Sequence, residues 1–308
     1  MAATPKVLRL DRIGLTVADL ARTCAFYEQG LGFSRVGIET RSDAGFADLT
    51  GIEGARAEVA TLRLGGQTIE LAAFTPAGRP YPAERAASDP WFQHFAVVTA
   101  DMAAAYAATS RAGAKAVSDG GPQLLPPATG SITAYKFRDP EGHPLELSWF
   151  PPAAAGPAWR DPPAGAVFLG IDHSAIAVAH ADIAAAFYVE QLGMRIAARQ
   201  VNSGPTQARL DGLVGAEVEI VSLAFEGGGP HLELLAYRQP RPAPPGPALQ
   251  PNDVAATRLI LAVQDLEDIV GRLKPDRLVS SGIVTQPDGS RAALIRDPDG
   301  HLLDLRRP

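Results

Sequence analysis

The side chains with the potential for catalysis or metal binding in this 308-residue chain are its six histidines and its 34 acidic residues. Cys24 is the only cysteine, which excludes an intramolecular disulfide, a cysteine-based zinc site and an iron–sulfur cluster. The sequence has no G-x-S-x-G elbow, Rossmann fingerprint or Walker motif, so neither a nucleophilic triad nor a nucleotide-binding loop is indicated. Histidines and carboxylates together suit proton transfer and the binding of a divalent metal.

Two of the histidines fall in a motif that occurs twice, RDPEGHPLEL at 138–147 and RDPDGHLLDL at 296–305. Because the D-P-x-G-H segment is typical of a turn, we predict that His143 and His301 stabilise that turn. His180 lies directly before a predicted helix, and we expect it at the surface or at the helix cap.

The motif belongs to a longer repeat. RIGLTVADLARTCAFYEQGLG at 12–32 aligns with HSAIAVAHADIAAAFYVEQLG at 173–193 at a constant offset of 161 residues. The same offset relates 49–55 to 210–216, and 136–147 aligns with 294–305 at an offset of 158. The two halves of the chain are therefore duplicates.

Each half divides again into two modules. In each module an alternating apolar strand precedes an amphipathic helix of about three turns and then three short strands, which predicts a βαβββ unit. The predicted limits are a first domain at 7–150, with modules 7–75 and 91–150, and a second domain at 167–308, with modules 167–238 and 252–308. The proline-rich segments 151–166 and 239–251 are predicted to be semi-rigid, extended connectors.

A βαβββ unit that carries strand, Asp-Leu, helix, Phe-Tyr and Leu-Gly at its start and R-D-P-x-G-H-x-L-E-L at its end resembles the vicinal oxygen chelate superfamily. That group includes glyoxalase I-like lyases, methylmalonyl-CoA epimerase, extradiol dioxygenases, and bleomycin or fosfomycin resistance proteins. The resemblance covers nearly the whole chain. It implies an α+β fold in which four modules pair into two curled mixed sheets, each shaped as a cup. It also implies metal ligands from the first strand and the last strand of each module.

The ligand positions implied by this resemblance carry two different residue sets. Modules two and three have a histidine on the first strand and a glutamate on the last, whereas modules one and four have an arginine with a carboxylate. The positions in chain order are Arg12 and Glu70, His94 and Glu146, His173 and Glu233, and Arg258 and Asp304.

This pattern predicts which modules pair. If the first paired with the second and the third with the fourth, each cup would contain an intruding arginine and neither would suit a metal. If the second pairs with the third and the first with the fourth, as in fused glyoxalase I-like proteins, one cup collects both histidine–glutamate pairs. We therefore expect one working site made of His94, Glu146, His173 and Glu233, although the sequence leaves the alternative pairing open.

The two cups would differ in chemistry. Two imidazoles and two carboxylates suit a divalent ion such as Zn, Ni, Co, Mn or Fe(II), with positions left for a chelating substrate. In the other, degenerate cup, Arg12 and Arg258 facing Glu70 and Asp304 would form ion pairs that need no metal.

The resemblance implies a metal-dependent lyase or isomerase of the glyoxalase type. Its small substrate would present two neighbouring oxygens to the metal, which would stabilise an enediolate after deprotonation. Glu146 or Glu233 would act as the general base, and the sequence does not say which. In HLELL at 231–235, His231 projects from the same strand face as Glu233, as an outer partner, a proton donor or an alternative ligand.

Two alternatives remain open. An extradiol ring-cleaving dioxygenase would use two histidines and one glutamate to hold Fe(II), but that family uses modules three and four, where Arg258 replaces the second histidine. A drug-sequestering binding protein would hold a ligand without turnover, and such proteins generally lack metal ligands.

Composition sets the remaining expectations. The net charge of −6 and the isoelectric point of about 5.5 do not indicate a basic surface for binding nucleic acid or an anionic membrane. The first residues lack a signal-peptide pattern and no run of apolar residues is long enough to span a bilayer. We expect a cytoplasmic monomer or homodimer whose partner is a small-molecule substrate.

Overall fold

The computed structural model of the chain describes residues 7–83, 85–90, 93–243 and 246–307. The predicted module limits at residues 91 and 308, and residues 244–245 of the second connector, lie outside the described residues. Within those described, no helix is long and apolar enough to cross a membrane.

Each module has the predicted strand, helix and later strands, but modules one and three add a second short helix and module two adds a two-residue strand. The first contains β1 (Val7–Thr16), α1 (Leu20–Leu31), β2 (Ser34–Arg41), α2 (Ala44–Thr50), β3 (Arg56–Leu64) and β4 (Gln67–Thr75). The second contains β5 (Gln93–Thr99), α3 (Met102–Arg111), β6 (Lys115–Ala116), β7 (Gln123–Leu124), β8 (Thr133–Arg138) and β9 (Pro144–Trp149). The third contains β10 (Phe168–Ala177), α4 (Ala181–Ala186), β11 (Arg195–Ser203), α5 (Pro205–Asp211), β12 (Glu217–Ala224) and β13 (His231–Gln239). The fourth contains β14 (Thr257–Val263), α6 (Leu266–Arg272), β15 (Val284–Thr285), β16 (Arg291–Arg296) and β17 (Leu302–Arg307).

Local capping explains where the main helices begin. The side chains of Asp19 and Asp101 accept hydrogen bonds from backbone N–H groups in the first turns of α1 and α3. His180 occupies the equivalent position before α4, is exposed, and makes no capping hydrogen bond with its side chain. The expected surface or cap position of His180 is thus confirmed, although its side chain does not cap.

The strands form two mixed sheets, which confirms the predicted fold class. Modules one and four build an eight-stranded sheet in the order β15-β16-β17-β14-β1-β4-β3-β2, in which β1 and β14 are antiparallel. Modules two and three build a nine-stranded sheet along β11-β12-β13-β10-β5-β9-β8-β6, with β7 beside β8. The second module therefore pairs with the third and the first with the fourth, as the charge pattern predicted. We call the two concave faces the inner cup (modules two and three) and the outer cup (modules one and four).

The main hydrophobic core lies on the opposite faces of these sheets, against the helices. It includes Phe95 and Leu145 from the nine-stranded sheet, Leu71 from the eight-stranded sheet, and Tyr27 from α1. Because strand residues alternate, burying Phe95 and Leu145 in this core directs His94 and Glu146 into the inner cup.

The two D-P-x-G-H turns join neighbouring modules. Asp139 accepts hydrogen bonds from the backbone N–H groups of residues 141–143, and His143 Nδ1 lies 2.8 Å from Asp139 Oδ2. His143 Nε2 reaches the carbonyl oxygens of Thr16 and Val254 in modules one and four. His301 likewise contacts the carbonyl oxygen of Ala177. The His143 side chain stabilises its own turn, as predicted, and also ties it to modules one and four. At His301 the backbone N–H makes the contact within the turn, to Asp297, while the side chain ties the turn to Ala177 of module three.

The connector at 151–166 is not extended, contrary to the prediction. It folds into successive turns, with hydrogen bonds such as that from Ala155 N to Pro151 O. Trp159 packs back on the sheet and donates its indole N–H to Asp172 Oδ1 at 3.1 Å. Proline-rich composition favours extension only where no tertiary contact competes, and Trp159 supplies such a contact.

Candidate metal centre

The register of the two central strands brings the four predicted ligands together. β5 and β10 run antiparallel, with His94 opposite Ala175 and His173 opposite Ala96. β9 and β13 flank them in parallel, placing Glu146 beside Ala96 and Glu233 beside Ala175. Each small alanine therefore lies between a histidine and a glutamate, and all four side chains project into the inner cup.

The distances define a compact donor set. His94 Nε2 lies 3.5 Å from Glu146 Oε2, and His173 Nε2 lies 3.8 Å from Glu233 Oε2. One donor atom each from His94, Glu146 and His173 lies within 4.8 Å of the others. Glu233 stands next to this group of three rather than inside it.

Further side chains hold the predicted ligands in place. Asp172 Oδ2 lies 3.0 Å from His173 Nδ1, which leaves Nε2 directed at the cup. Ser148 donates to Glu146 at 2.7 Å, and Ser222 donates to Glu233 at 3.2 Å. His231 Nε2 lies 3.3 Å from Glu233 Oε1, so His231 does face the cup with Glu233, as predicted.

Sequence reasoning missed Asp172 because simple alternation places it on the opposite face from His173. The pairing of β10 with β5 is irregular between Ile171 and His173, and this bulge turns Asp172 to the cup side. Asp172, His173 and His231 form a second cluster of potential ligands around the same imidazole.

Lys136 was also missed, and it introduces a buried cation into the inner cup. It is the cross-strand neighbour of Glu146, and its Nζ lies 2.7 Å from Asp211 Oδ1 and 3.9 Å from Glu146 Oε2. The repeat could have revealed Lys136, because the aligned position in module four is Leu294, so a charged residue stands where its repeat counterpart is apolar. Asp211 belongs to α5 of the third module, so its approach depends on the tertiary fold.

The electrostatic environment shifts the pKa values of the two histidines in opposite directions and keeps both glutamates ionised. Burial lowers the pKa of His94 despite its contact with Glu146. Burial would also lower the pKa of His173, but the charge of Glu233 and the hydrogen bond with Asp172 raise it to about 9. Burial would raise the pKa of both glutamates; instead His94 and Lys136 hold that of Glu146 well below its usual range, and His173 and His231 lower that of Glu233 to about 2.

The four predicted ligands and their partners line a cavity of about 200 Å³. Aliphatic residues from both modules form part of its wall, including Leu125, Ile132, Leu210, Ile220 and Leu235. Enclosure of polar donors by such a wall is typical of small-molecule sites.

The outer cup contains ion pairs, but they differ from the predicted ones. Arg12 pairs with Glu70 at 2.7 Å, as expected, and Arg41 adds a two-pronged contact with the same carboxylate. Arg258 bonds no carboxylate within the described part of the chain; it donates to Thr16 Oγ1 and to the carbonyl oxygen of Pro251. Asp304 pairs instead with Arg306 at 2.8 Å.

The pairing predicted between Arg258 and the outer-cup carboxylates is therefore wrong. Its guanidinium lies over the ring of Phe74, 5.6 Å from the ring centroid. Burial lowers the pKa of Arg258 to about 10, although the charges of Glu70 and Asp304 oppose this shift. Arginines and apolar residues leave a void of only about 20 Å³ in this cup.

Comparison with known proteins agrees with this architecture. The model of the Glyoxalase/Bleomycin resistance protein/Dioxygenase superfamily matches residues 9–147 and again 170–305. The chain belongs to this superfamily. Among curated proteins, no sequence gives a significant match.

Solved structures of similar shape are known at low sequence identity. Glyoxalase I from Zea mays is 18% identical, with a TM-score of 0.61, 98% of this chain and 93% of that chain covered. A point mutant of the same plant enzyme, 17% identical, has a TM-score of 0.63 over 98% of this chain and 94% of that chain. A putative dioxygenase from Bacillus subtilis is 13% identical, with a TM-score of 0.59 over 99% of this chain and 86% of that chain. These likenesses establish the fold.

The inner cup of this superfamily member has a donor set that fits a divalent metal. His94 and His173 offer imidazole nitrogens, Glu146 offers a carboxylate oxygen, and their mutual distances allow one ion to contact all three. The carboxylate of Asp172 behind His173 is the usual outer partner of a metal-bound imidazole. The outer cup fails the same test, because arginines occupy both first-strand positions.

Proposed function

We propose that the protein is a metal-dependent lyase or isomerase of the glyoxalase type, acting on a small substrate with two neighbouring oxygens. The observation that carries this proposal is the convergence of His94, Glu146, His173 and Glu233 in the inner cup, beside a cavity lined partly by aliphatic residues. The metal, when bound, would polarise the substrate carbonyl and stabilise the enediolate formed by loss of a proton.

Three of the four side chains would hold the metal, and the fourth would accept the proton from the substrate. His94, His173 and Glu146 are the holding ligands, since Ser148 and Lys136 fix Glu146 from behind. Glu233 lies beside them and is the general base in this proposal. Its carboxylate is ionised and is oriented by Ser222 and His231, so an oxygen is available to accept a proton from the substrate carbon.

A second candidate function rests on one specific observation. His94, His173 and Glu146 form the two-histidine, one-carboxylate set that holds Fe(II) in many oxygenases. In the extradiol family this set comes from modules three and four, whereas here it spans modules two and three. Oxygen uptake with a catechol and Fe(II) would favour this alternative over proton transfer.

The decisive experiment measures metal content and proton exchange together. Natively purified protein should contain about one divalent ion per chain, and His94→Ala and His173→Ala should each lose most of it, because two imidazoles anchor the site. His180→Ala, at an exposed position, is the matched control and should keep its metal.

Catalysis is then followed in deuterated water by nuclear magnetic resonance. The metal-loaded protein should exchange the carbon-bound proton of a small hydroxyketone, and Glu233→Gln should slow this exchange by at least about a hundredfold while retaining metal. Full metal content in both histidine variants would refute the site. Metal binding without exchange or isomerisation of any hydroxycarbonyl compound would leave a binding protein instead.

A further inference from the structure

The folded connector at 151–166 covers a second cavity, of about 260 Å³, at the ends of β5 and β9. Three aromatic side chains line this cavity: Trp149 and Phe150 at the end of β9, and Trp159 in the connector. Each of the three is only partly buried. Among the described residues that line the cavity, Arg160 alone carries a charge, and it is exposed. We call this cavity the connector pocket.

The connector pocket adjoins the cavity of the inner cup. Phe150 lines both cavities. Val98, in the connector pocket, is the cross-strand neighbour of Ser148, which lines the inner-cup cavity and donates a hydrogen bond to Glu146. Because the side chains of cross-strand neighbours share one face of a sheet, the two cavities lie side by side and Phe150 marks the boundary between them.

Trp159 is fixed in place by the sheet and by the candidate metal centre. Its indole Nε1 donates to Asp172 Oδ1 at 3.1 Å, and Asp172 Oδ2 lies 3.0 Å from Nδ1 of the predicted ligand His173. The indole ring also lies against Gly170, where an added Cβ would come within 3.0 Å of a ring carbon. The missing side chain at Gly170 therefore leaves room for the ring, and the connector pocket has a preformed aromatic wall.

The lining of the connector pocket favours a neutral aromatic group. Its three aromatic side chains offer faces and edges for offset-stacked or edge-to-face contact with a ring, and a guanidinium such as that of Arg160 can stack on an aromatic face. An apolar cavity of about 150 Å³ already holds a benzene molecule, so the connector pocket has room for a substituted ring. A neutral ring leaves no charge unpaired there, because Arg160 is exposed to solvent.

We propose that the connector pocket holds an aromatic group of the substrate, which makes the substrate an aryl-substituted hydroxycarbonyl compound. This inference rests on the proposed function. The vicinal oxygens lie at the histidine–glutamate end of the inner cup, a short linker passes Phe150, and the ring lies against Trp159. The connector between modules two and three thus determines which substrates bind.

The proposal is tested by calorimetric binding of three probes that share one hydroxyketone group. They are 1-hydroxy-3-phenylpropan-2-one, its cyclohexyl counterpart, and hydroxyacetone, which lacks a ring. Metal-loaded protein should bind the phenyl probe at least about tenfold more tightly than hydroxyacetone, because the ring adds buried apolar surface. It should bind the phenyl probe about threefold or more tightly than the cyclohexyl probe, because only the phenyl ring makes aromatic contacts. The same order should appear in metal-free protein, since none of the predicted metal ligands lines the connector pocket.

Variants assign this preference to the connector pocket, with thermal unfolding used to show that each folds. Phe150→Leu and Trp159→Leu each remove one ring and should reduce the preference for phenyl over cyclohexyl to less than about twofold. Trp159→Phe keeps a ring but lacks the indole N–H, and it should retain the preference. Phe187→Leu, at a partly buried aromatic residue of module three that lines neither cavity, is the matched control.

Equal affinity for the phenyl and cyclohexyl probes in the wild-type protein, or a phenyl preference that survives in both leucine variants, would overturn the proposal. Failure of all three probes to bind either form of the protein would overturn it as well. A wild-type protein that takes up no metal would refute the proposed function instead, while the order of affinities in metal-free protein would still judge the connector pocket.

Discussion

His94 and His173 occupy equivalent positions in the repeat, yet their surroundings give them opposite protonation behaviour. Burial keeps His94 neutral, because it lowers its pKa. His173 lies between Asp172 and Glu233, and these carboxylates raise its pKa to about 9 against the effect of burial. A metal ligand must be a neutral imidazole, so binding an ion at the inner cup requires His173 to release its proton.

Metal affinity should therefore rise with pH. Below about 9, the pKa of His173, each unit of pH should tighten metal binding by about tenfold, because one proton is displaced for each ion bound. Competition with a chromophoric chelator between pH 6 and pH 8 measures this slope. Asp172→Asn removes one of the charges that raise the pKa and should shift the slope to lower pH. An affinity independent of pH in the wild-type protein would contradict the assignment of His173.

Among the structural elements, the D-P-x-G-H turn of module two makes contacts far from its own strands. His143 is buried, with Nδ1 facing the carboxylate of Asp139 and Nε2 facing two carbonyl oxygens. Since all of these groups are acceptors, both ring nitrogens donate and the imidazole is positively charged. Burial would lower the pKa of His143, but Asp139 raises it above its usual value.

A raised pKa in the folded state has a defined effect on stability. The contribution of His143 is complete below its unfolded pKa of about 6.5 and is lost as pH rises through the higher folded pKa. His143→Gln should lower the free energy of unfolding by about 3 kcal/mol at pH 6, since it breaks a buried ion pair, and by less at pH 9. Urea denaturation at the two pH values measures this, with His180→Gln as the exposed control. The same loss at both pH values would show that His143 is neutral in the folded protein.

At the scale of the whole molecule, duplication gives one scaffold two cups with different contents. The inner cup combines histidines from both halves of the chain, and the outer cup combines arginines from both halves. In the outer cup the buried Glu70 carboxylate lies between Arg12 and Arg41. Burial would raise its pKa, but the arginines lower it to about 2. In the outer cup, arginine side chains thus neutralise the buried carboxylate, as a metal ion would do in the inner cup.

Glu70→Gln in the outer cup and Glu146→Gln in the inner cup distinguish a stabilising ion pair from a metal ligand. Glu70→Gln should leave metal content at about one ion per chain but lower the free energy of unfolding by about 3 kcal/mol at pH 7, because it removes the buried carboxylate that Arg12 and Arg41 share. In the wild-type protein this contribution should fade as pH falls below about 4.5, towards the folded pKa of about 2. Glu146→Gln should instead weaken metal binding. Metal analysis and urea denaturation of both variants make the comparison, and loss of metal in Glu70→Gln would show that the outer cup also binds an ion.

Much of the site follows from the sequence because it depends on local pattern and on the repeat. The aligned motifs, through the resemblance to the vicinal oxygen chelate superfamily, predicted His94, Glu146, His173 and Glu233 as ligands, and the distribution of arginines between modules predicted which sheets form. The two D-P-x-G-H turns are also local, since Asp139 binds the backbone of the residues that directly follow it.

Other features were decided only by the tertiary structure, for physical reasons. A bulge in β10 turns Asp172 towards the cup, and alternation alone cannot predict a bulge. Lys136 and Asp211 lie 75 residues apart in different modules, and Arg306 rather than Arg258 satisfies Asp304. These contacts depend on the distance between segments of different modules in the folded protein and on which long side chain lies within hydrogen-bond distance of a given carboxylate. The sequence by itself thus determined the repeated modules and predicted their pairing and the ligand positions, whereas three-dimensional packing decided the pairing and determined the charges and hydrogen bonds that surround the predicted ligands.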